Sequence, residues 1–444
     1  LTALVNTKPV EISFPVKVEG EPYIPIRFLE DLYGISVKYL PEEDRVIIDR
    51  DLPRRKTARI KADVATLKTL PSWFSSGRVK VARDDVLFLY DEQGKWAQVR
   101  TSDGVLGYIP EDNLEVVEMD MGQKTPEAPR PEVSRGKINL VWDYIYSVTP
   151  DKTGELPPKG LDVISPTWFS VVDGAGNIKS KADIAYVEWA HKNNLAVWAL
   201  IDNNFDPDVT HKFLASSETR EHMIRQILVY SKLYGFDGIN IDFENVDLTD
   251  KALLVQFVRE LAPTLREAGI VTSMDVTVKS QSPNWSLCYD RRELAKVLDY
   301  MMLMAYDEHW AASPVSGSVA SIGWVERGLR YAVSKIPAEK VVLGLAGYGY
   351  DWTSFGSAKA VTYQQVLNLL KKHDVSANWD AASKSPYFTY FSGGRRHTVW
   401  YENSTSLSAK VDLVTRYGVR GVALWRLGFE DQRLWQGVRE KLWL

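Results

Sequence analysis

Residues 237–244 read Asp-Gly-Ile-Asn-Ile-Asp-Phe-Glu, and the second half of this run alternates strictly. Ile239, Ile241 and Phe243 are apolar, whereas Asn240, Asp242 and Glu244 are polar. Successive side chains of a strand point to opposite faces, so the amide and both carboxylates share one face at intervals of about 7 Å. Two carboxyl groups placed this way can do acid and base work, because a negative neighbour raises the proton affinity of the second acid. The same pattern also fits a half-exposed antiparallel strand whose acidic face meets water.

The flanking residues decide between these readings. Ile224, Ile227, Leu228 and Ser231 form one helical stripe within residues 217–234, and Gly235 stands where that helix should stop. Downstream, Asp250 is placed to cap a second helix that turns Leu254, Phe257, Val258, Leu261 and Leu265 inward and stops at Gly269. A strand between two such helices belongs to a parallel sheet under helical cover. If the sheet closes, the isoleucines and Phe243 face the helices while Asn240, Asp242 and Glu244 line the lumen, rising toward the strand's C-terminal end. Interior carboxylates are costly to bury, which favours a chemical role.

The 444 residues are too many for one ordinary core, so two or three domains are expected. With 54 Lys and Arg against 58 Asp and Glu, the net charge of −4 argues against nucleic acid as a partner. No apolar run reaches the length of a membrane span. The single cysteine, Cys288, excludes an internal disulfide and a cysteine-rich metal site, and the six histidines show no metal-ligand spacing, so neither metal nor cofactor is expected. The first residue is Leu1 rather than Met, so a leader segment would not be visible in it.

Four stretches follow from patterning. Residues 1–53 read as a small α+β unit, with alternation over 10–14 and 16–18, a short helix led by Pro25-Ile26-Arg27-Phe28-Leu29, and a strand at Val46-Ile47-Ile48. It resembles the stalk-like domain of copper amine oxidases. Residues 54–119 carry short strands near 57–60, 78–81, 86–90, 95–101 and 104–109, with Lys95-Trp96-Ala97-Gln98-Val99 and Gly107-Tyr108-Ile109-Pro110 resembling a bacterial SH3-type barrel. A proline-bearing linker spans 120–136. Over 137–444 candidate strands begin near Ile138, Leu161, Leu195, Gly238, Ile270, Tyr300, Val341 and Gly421, the count of a (β/α)8 TIM barrel, with an α+β insertion at 352–404 before the last strand.

The order of blocks in 137–444 resembles glycoside hydrolase family 18. Asp237, Gly238, Asp242 and Glu244 fit its DGxDxDxE signature, with Asn240 where most chitinases carry Asp. Met302-Leu303-Met304-Ala305-Tyr306-Asp307 resembles its sixth-strand block, and Ala423-Leu424-Trp425 falls where the eighth strand supplies a tryptophan floor. The wording through Asn245 is similar to the branch associated with spore-cortex and cell-wall hydrolysis. The resemblance implies substrate-assisted cleavage of a β-1,4-linked N-acetylglucosamine polymer, in which the sugar's own acetamido oxygen attacks the anomeric carbon. Glu244 would be the acid and then the base, Asp242 would hold the acetamido N–H, and Tyr306 would orient its carbonyl. Asp307 and Met304 would support that sugar, Trp425 would meet its apolar face, and Asp237 would buttress the strand start. An amide at 240 cannot be a charged partner of Asp242, but it could donate a hydrogen bond and orient it, with a changed pH profile.

Of the remaining aromatics, Trp310 and Tyr348 are candidate sugar platforms, with Tyr144, Trp168, Trp285, Tyr350 and Trp352 also near strand ends. His309 is either a subsite contact or solvated. Peptidoglycan, including spore cortex, is the expected substrate; chitin or its oligosaccharides is the alternative, and a non-catalytic carbohydrate-binding protein on the same barrel is the alternative of another class. The expected setting is extracellular, at the cell wall or spore envelope, and a monomer is expected.

Overall fold

The computed structural model describes residues 2–5, 8–11, 16–18, 21–23, 35–40, 45–50, 55–83, 85–101, 104–119, 136–353 and 358–442. The chain divides into two compact units, Leu1–Pro129 and Arg130–Leu444. In the first, three antiparallel pairs join Thr2–Val5 to Lys8–Glu11, Val16–Val18 to Glu21–Tyr23 and Ile35–Leu40 to Arg45–Arg50. The short helix expected to follow from Pro25-Ile26-Arg27-Phe28-Leu29 and all but the last residue of the linker expected over 120–136 lie outside the described residues.

The described residues between 55 and 119 form a seven-stranded antiparallel sheet around Ala58, Ile60, Leu67, Leu87, Ala97, Val99 and Ile109. Two of its strands, Val64–Lys68 and Leu114–Met119, are not among the five expected from the sequence. Val64-Ala-Thr-Leu-Lys mixes small and polar residues, and Leu114-Glu-Val-Val-Glu-Met breaks the alternation, so neither announces a strand on its own.

The second unit contains a closed barrel of eight parallel strands, numbered β1 to β8. They are β1 Ile138–Asp143, β2 Val163–Val171, β3 Ala196–Asp202 and β4 Gly238–Asp242, followed by β5 Val271–Thr277, β6 Tyr300–Met304, β7 Val341–Ala346 and β8 Gly421–Trp425. β8 pairs with β1 to close the ring. This is the (β/α)8 TIM barrel that the apolar rhythm predicts. At the seam, a Cβ added to Gly421 would lie 1.9 Å from the Ile138 carbonyl oxygen, so only glycine lets the first and last strands meet.

Two apolar layers hold the barrel. Ile239, Ile241 and Phe243 face outward and pack with Leu254, Phe257, Val258 and Leu261 of helix Lys251–Glu267. Ile138, Leu140, Trp142, Trp198, Leu200, Met302, Val342 and Ala423 fill the lumen from within. Each fully buried side chain of this size contributes roughly 1.5–3 kcal/mol, so the ring's geometry is fixed from both sides. Helix Ser217–Tyr234 is capped by the Ser216 hydroxyl and ends at Gly235, whose φ is +74°. Asp250 occupies the N-cap position of the next helix but makes no capping bond; its Oδ1 instead meets His211 Nδ1 at 2.8 Å.

Between β7 and β8 the insertion forms a five-stranded antiparallel sheet beside helix Tyr363–His373. Its first strand, Tyr348–Thr353, starts earlier than the expected 352, one residue after Gly347 breaks from β7. At its end, Glu402 accepts from Lys410 Nζ at 2.7 Å and from the Ser406 hydroxyl, an ion pair fully inside the protein.

Candidate active site

The two carboxylates of β4 end up at the C-terminal mouth of the lumen. Asp242 is buried, and its Oδ1 has no hydrogen-bond partner. Loss of hydration raises its pKa well above the ordinary carboxylate range, with Glu244, Asp275 and Asp202 adding negative field in that order. Glu244 lies just past the strand end, half-buried. Burial and then the Asp307 charge push its pKa up to about 7. A carboxylic acid that keeps its proton to neutrality can donate it, which is the first requirement for protonating a leaving oxygen.

The main chain around Glu244 is clamped. Asn203, fully buried after β3, accepts from Glu244 N at 3.0 Å and donates to Glu244 O at 2.7 Å. Tyr289 Oη donates to Phe243 O at 2.9 Å. The next residue, Asn245, has φ +52°, a left-handed conformation that non-glycine residues seldom adopt. The asparagine clamp was not anticipated, although the Asp202-Asn203-Asn204 run at a strand end offered a signal.

Asn240 departs from its expected role. Trp142 Nε1, which can only donate, donates to Asn240 Oδ1 at 2.8 Å. That orients the amide nitrogen toward β5, where it donates to Asp275 Oδ1 at 2.8 Å and to Ser273 Oγ at 3.2 Å. Asn240 therefore orients Asp275, not Asp242. Asp275 itself was missed from the sequence. The alternation Ser273, Asp275, Thr277 against Met274 and Val276 carried the same signature as β4.

β6 delivers Tyr306 and Asp307 across the mouth. Burial and then the fields of Asp275, Asp242 and Glu244 hold the Tyr306 phenol protonated far above its usual range, so it is a neutral donor. Asp307, at φ +61°, accepts from Tyr348 Oη at 2.6 Å and from Tyr350 Oη at 3.1 Å. Tyr348 is buried behind Asp307, edge-on to the Tyr306 ring, so it presents no free face to a sugar. Met304 is partly buried at the end of β6. Trp425, also partly buried, packs edge-on against Trp142 and Tyr144 at 6.1 Å each.

Asp237 lies apart from this group, at the opposite end of β4. Its Oδ2 accepts from Val197 N and meets His191 Nε2, both at 2.8 Å, tying β4 to β3 and to helix Ile184–Lys192. Trp310 is 55% exposed on the loop after β6. Trp168 is wholly within the outer core, edge-on to Tyr186, and offers nothing to a ligand. His309 Nδ1 meets Ser318 O at 2.9 Å.

The insertion's sheet adds a wall. Tyr348, Tyr350 and Trp352 alternate onto one face, and register places Trp400 and Thr398 beside Tyr350 and Trp352. A groove of about 790 Å³ runs along this face between Trp352, Tyr387, Arg396 and Trp400 and the loop carrying Val315. Tyr387 and Trp400 stack at 4.6 Å. The groove begins next to the tyrosines that hold Asp307, not over Glu244 itself.

A lumen of this kind, with an acid at the end of the fourth strand, defines a barrel glycosidase, and the comparisons agree. Residues 142–430 match the family model described as glycosyl hydrolases family 18. The chain belongs to that family.

The chain is 31% identical over 279 residues to the uncharacterized glycosylase YvbX of Bacillus subtilis, covering 60% of this chain and 80% of that one. It is 30% identical over 245 residues to the cortical fragment-lytic enzyme of Bacillus subtilis, covering 53% of this chain and 57% of that protein, less than two thirds of its length. Among solved structures, the spore cortex-lytic enzyme SleL of Bacillus megaterium superimposes with a TM-score of 0.62 at 25% identity, over 70% of this chain and 75% of that one. A chitinase of Chromobacterium violaceum superimposes with a TM-score of 0.63 at 27% identity, over 69% and 99%.

Proposed function

We propose that this glycosidase cleaves β-1,4 bonds of an N-acetylglucosamine-containing wall polymer, peptidoglycan or spore cortex, with the substrate's acetamido group as nucleophile. The observation that carries the reading is Glu244, held half-buried just past the end of β4 with its pKa pushed up to about 7, beside Asp242, whose carboxyl burial also holds well above the ordinary range. The Glu244 proton goes to the glycosidic oxygen as that C–O bond breaks and the acetamido oxygen bonds to the anomeric carbon. Asp242 holds the acetamido N–H and faces the positive charge that develops on the oxazolinium ring. Tyr306, kept neutral, donates to the acetamido oxygen and turns it toward the carbon. Glu244, now a carboxylate, takes a proton from water as it opens the ring, so the anomeric configuration is retained.

Asp307 adds its charge to the burial that raises the Glu244 pKa, Trp425 forms the apolar floor of the mouth, and Met304 packs beneath the sugar at the cleaved bond. Trp310 and the groove lined by Trp352 and Trp400 extend the platform for sugars away from the cleaved bond. The names of the cortex-lytic relatives support a peptidoglycan substrate outside the cell, at the wall or spore envelope. The chitinase of Chromobacterium violaceum supports chitin as the second reading. Mass spectrometry of fragments released from purified cortex, vegetative wall and chitin separates the two. Muropeptides with N-acetylglucosamine at the new reducing end are expected; release from chitin alone would favour the second reading.

A further inference from the structure

Asp275 is a buried carboxylate on the strand next to Asp242, and the family signature on β4 does not include it. β4 and β5 are paired in parallel with Asn240 opposite Ser273 and Ile241 opposite Met274, so Asp242 and Asp275 stand on the following rung. Neighbouring strands are about 4.8 Å apart, and both residues point into the lumen. Both are buried, at 8% and 2% exposure, and Asp242 Oδ1 finds no partner. Two carboxyl groups on adjoining rungs of a dry lumen repel each other when both are charged, so ionising one raises the proton affinity of the other.

We infer that Asp275 is the proton partner of Asp242: Asn240 fixes it on the neighbouring strand, and it takes the Asp242 proton when the substrate's acetamido N–H arrives. The orientation of Asn240 makes this specific. Trp142 holds its oxygen away, so its amide can only donate toward Asp275, which favours the charge there while the site is empty. The proton then rests on Asp242. When a substrate N–H binds Asp242, the O–H bond on Asp242 breaks and one forms on Asp275, with the total charge unchanged. Asp242 becomes the anion that faces the oxazolinium ring. The inference rests on the reading of Asp242 and Glu244 as a catalytic pair, but the shared proton itself does not require turnover.

The other groups that act on this pair are Asp202 from β3, Glu244 beyond β4, and the phenols of Tyr289 and Tyr306; Asp307 acts on Glu244. Burial raises the Asp275 pKa well above the usual range, while the Asn240 hydrogen bond lowers it and Glu244 raises it. No lysine or arginine among the described residues stands among the groups acting on either carboxylate. The proton is therefore retained by mutual repulsion and burial rather than displaced by a cation.

The test is a carboxyl ¹³C NMR titration of the full chain with labelled aspartate, assigned with Asp242→Asn and Asp275→Asn. In Asp275→Asn the upper titration of Asp242 should fall by about one unit or more, because the like charge is gone. Its kcat on N-acetylated oligosaccharides should drop at least about tenfold with KM little changed. The pH profile should shift in the same direction as the NMR titration. Exchanging the two seats, Asn240→Asp with Asp275→Asn, should restore most of the loss, since it returns one acid and one amide to the same contact.

An unmoved Asp242 titration in folded Asp275→Asn overturns the inference. So does a uniform loss of activity with no pH shift and no recovery in the exchanged variant. If Asp275→Asn does not fold, Asn240→Asp carries the test: a third carboxylate should raise the Asp242 titration, and an unmoved one overturns the inference. A chain that shows the shared proton but cleaves nothing contradicts the proposed function and leaves the proton pair standing.

Discussion

At the scale of single residues, the site is built from groups whose burial is unfavourable except for what they do together. Glu244→Gln keeps the shape of the side chain and removes the proton. Turnover should fall at least ~10²–10⁴-fold while binding of an N-acetylated oligosaccharide persists, read by steady-state kinetics and calorimetry. The same substitution has a stability signature. The folded pKa of Glu244 is raised from 4.5 to about 7, so the folded state holds this proton more tightly than the unfolded chain does. Its contribution is fully present below pH 4.5 and is lost as pH rises through about 7. Wild type should therefore melt below Glu244→Gln at pH 8, and the gap should close toward pH 4.5. By the same sign, the basic limb of kcat/KM should lie near pH 7, where the acid loses its proton. A melting gap that does not change with pH would contradict this account of Glu244.

At the scale of elements, the barrel depends on close backbone approach and on a few buried polar ties. Gly421→Ala would drive a methyl group into the Ile138 carbonyl at the β8–β1 seam, where a ring of paired strands has little room to give. A loss at or above the usual ~1–3 kcal/mol of overpacking is expected in chemical denaturation. Lys410→Met would leave Glu402 buried without its cation, at a cost of roughly 3–5 kcal/mol, and should loosen the end of the insertion first. Hydrogen exchange over residues 385–417 would show it. These ties were not legible in the sequence, because they join residues whose proximity only the fold creates. What was legible followed from period. The β4 alternation and the flanking amphipathic helices placed Asn240, Asp242 and Glu244 on one inward face, and the eight strand starts were readable from apolar runs bounded by turn residues. Asp275 carried the same alternation but no flanking acid to draw attention. Tyr348 read as a free aromatic because sequence shows a ring's position and not what covers it. Asn240 was assigned to the wrong neighbour for a related reason: its partner lies on the next strand, beyond any local pattern.

At the scale of the whole molecule, the catalytic unit carries its own core, its own closed sheet and all of the candidate site residues. Residues 130–444 alone should fold and cleave soluble oligosaccharides at a rate within a few-fold of the full chain. Retention on insoluble wall material should weaken when residues 1–119 are removed, measured by co-sedimentation. Loss of soluble activity as well would mean that the first unit helps to form the cleft. The most direct test concerns the bond-breaking step: hydrolysis of two matched oligosaccharides that differ only in the N-acetyl group of the sugar at the cleaved bond, followed by ¹H NMR of the released anomer. Cleavage of the acetylated substrate alone, with the β-anomer appearing first, is the predicted result. Comparable cleavage of the deacetylated substrate, or first release of the α-anomer, would contradict it.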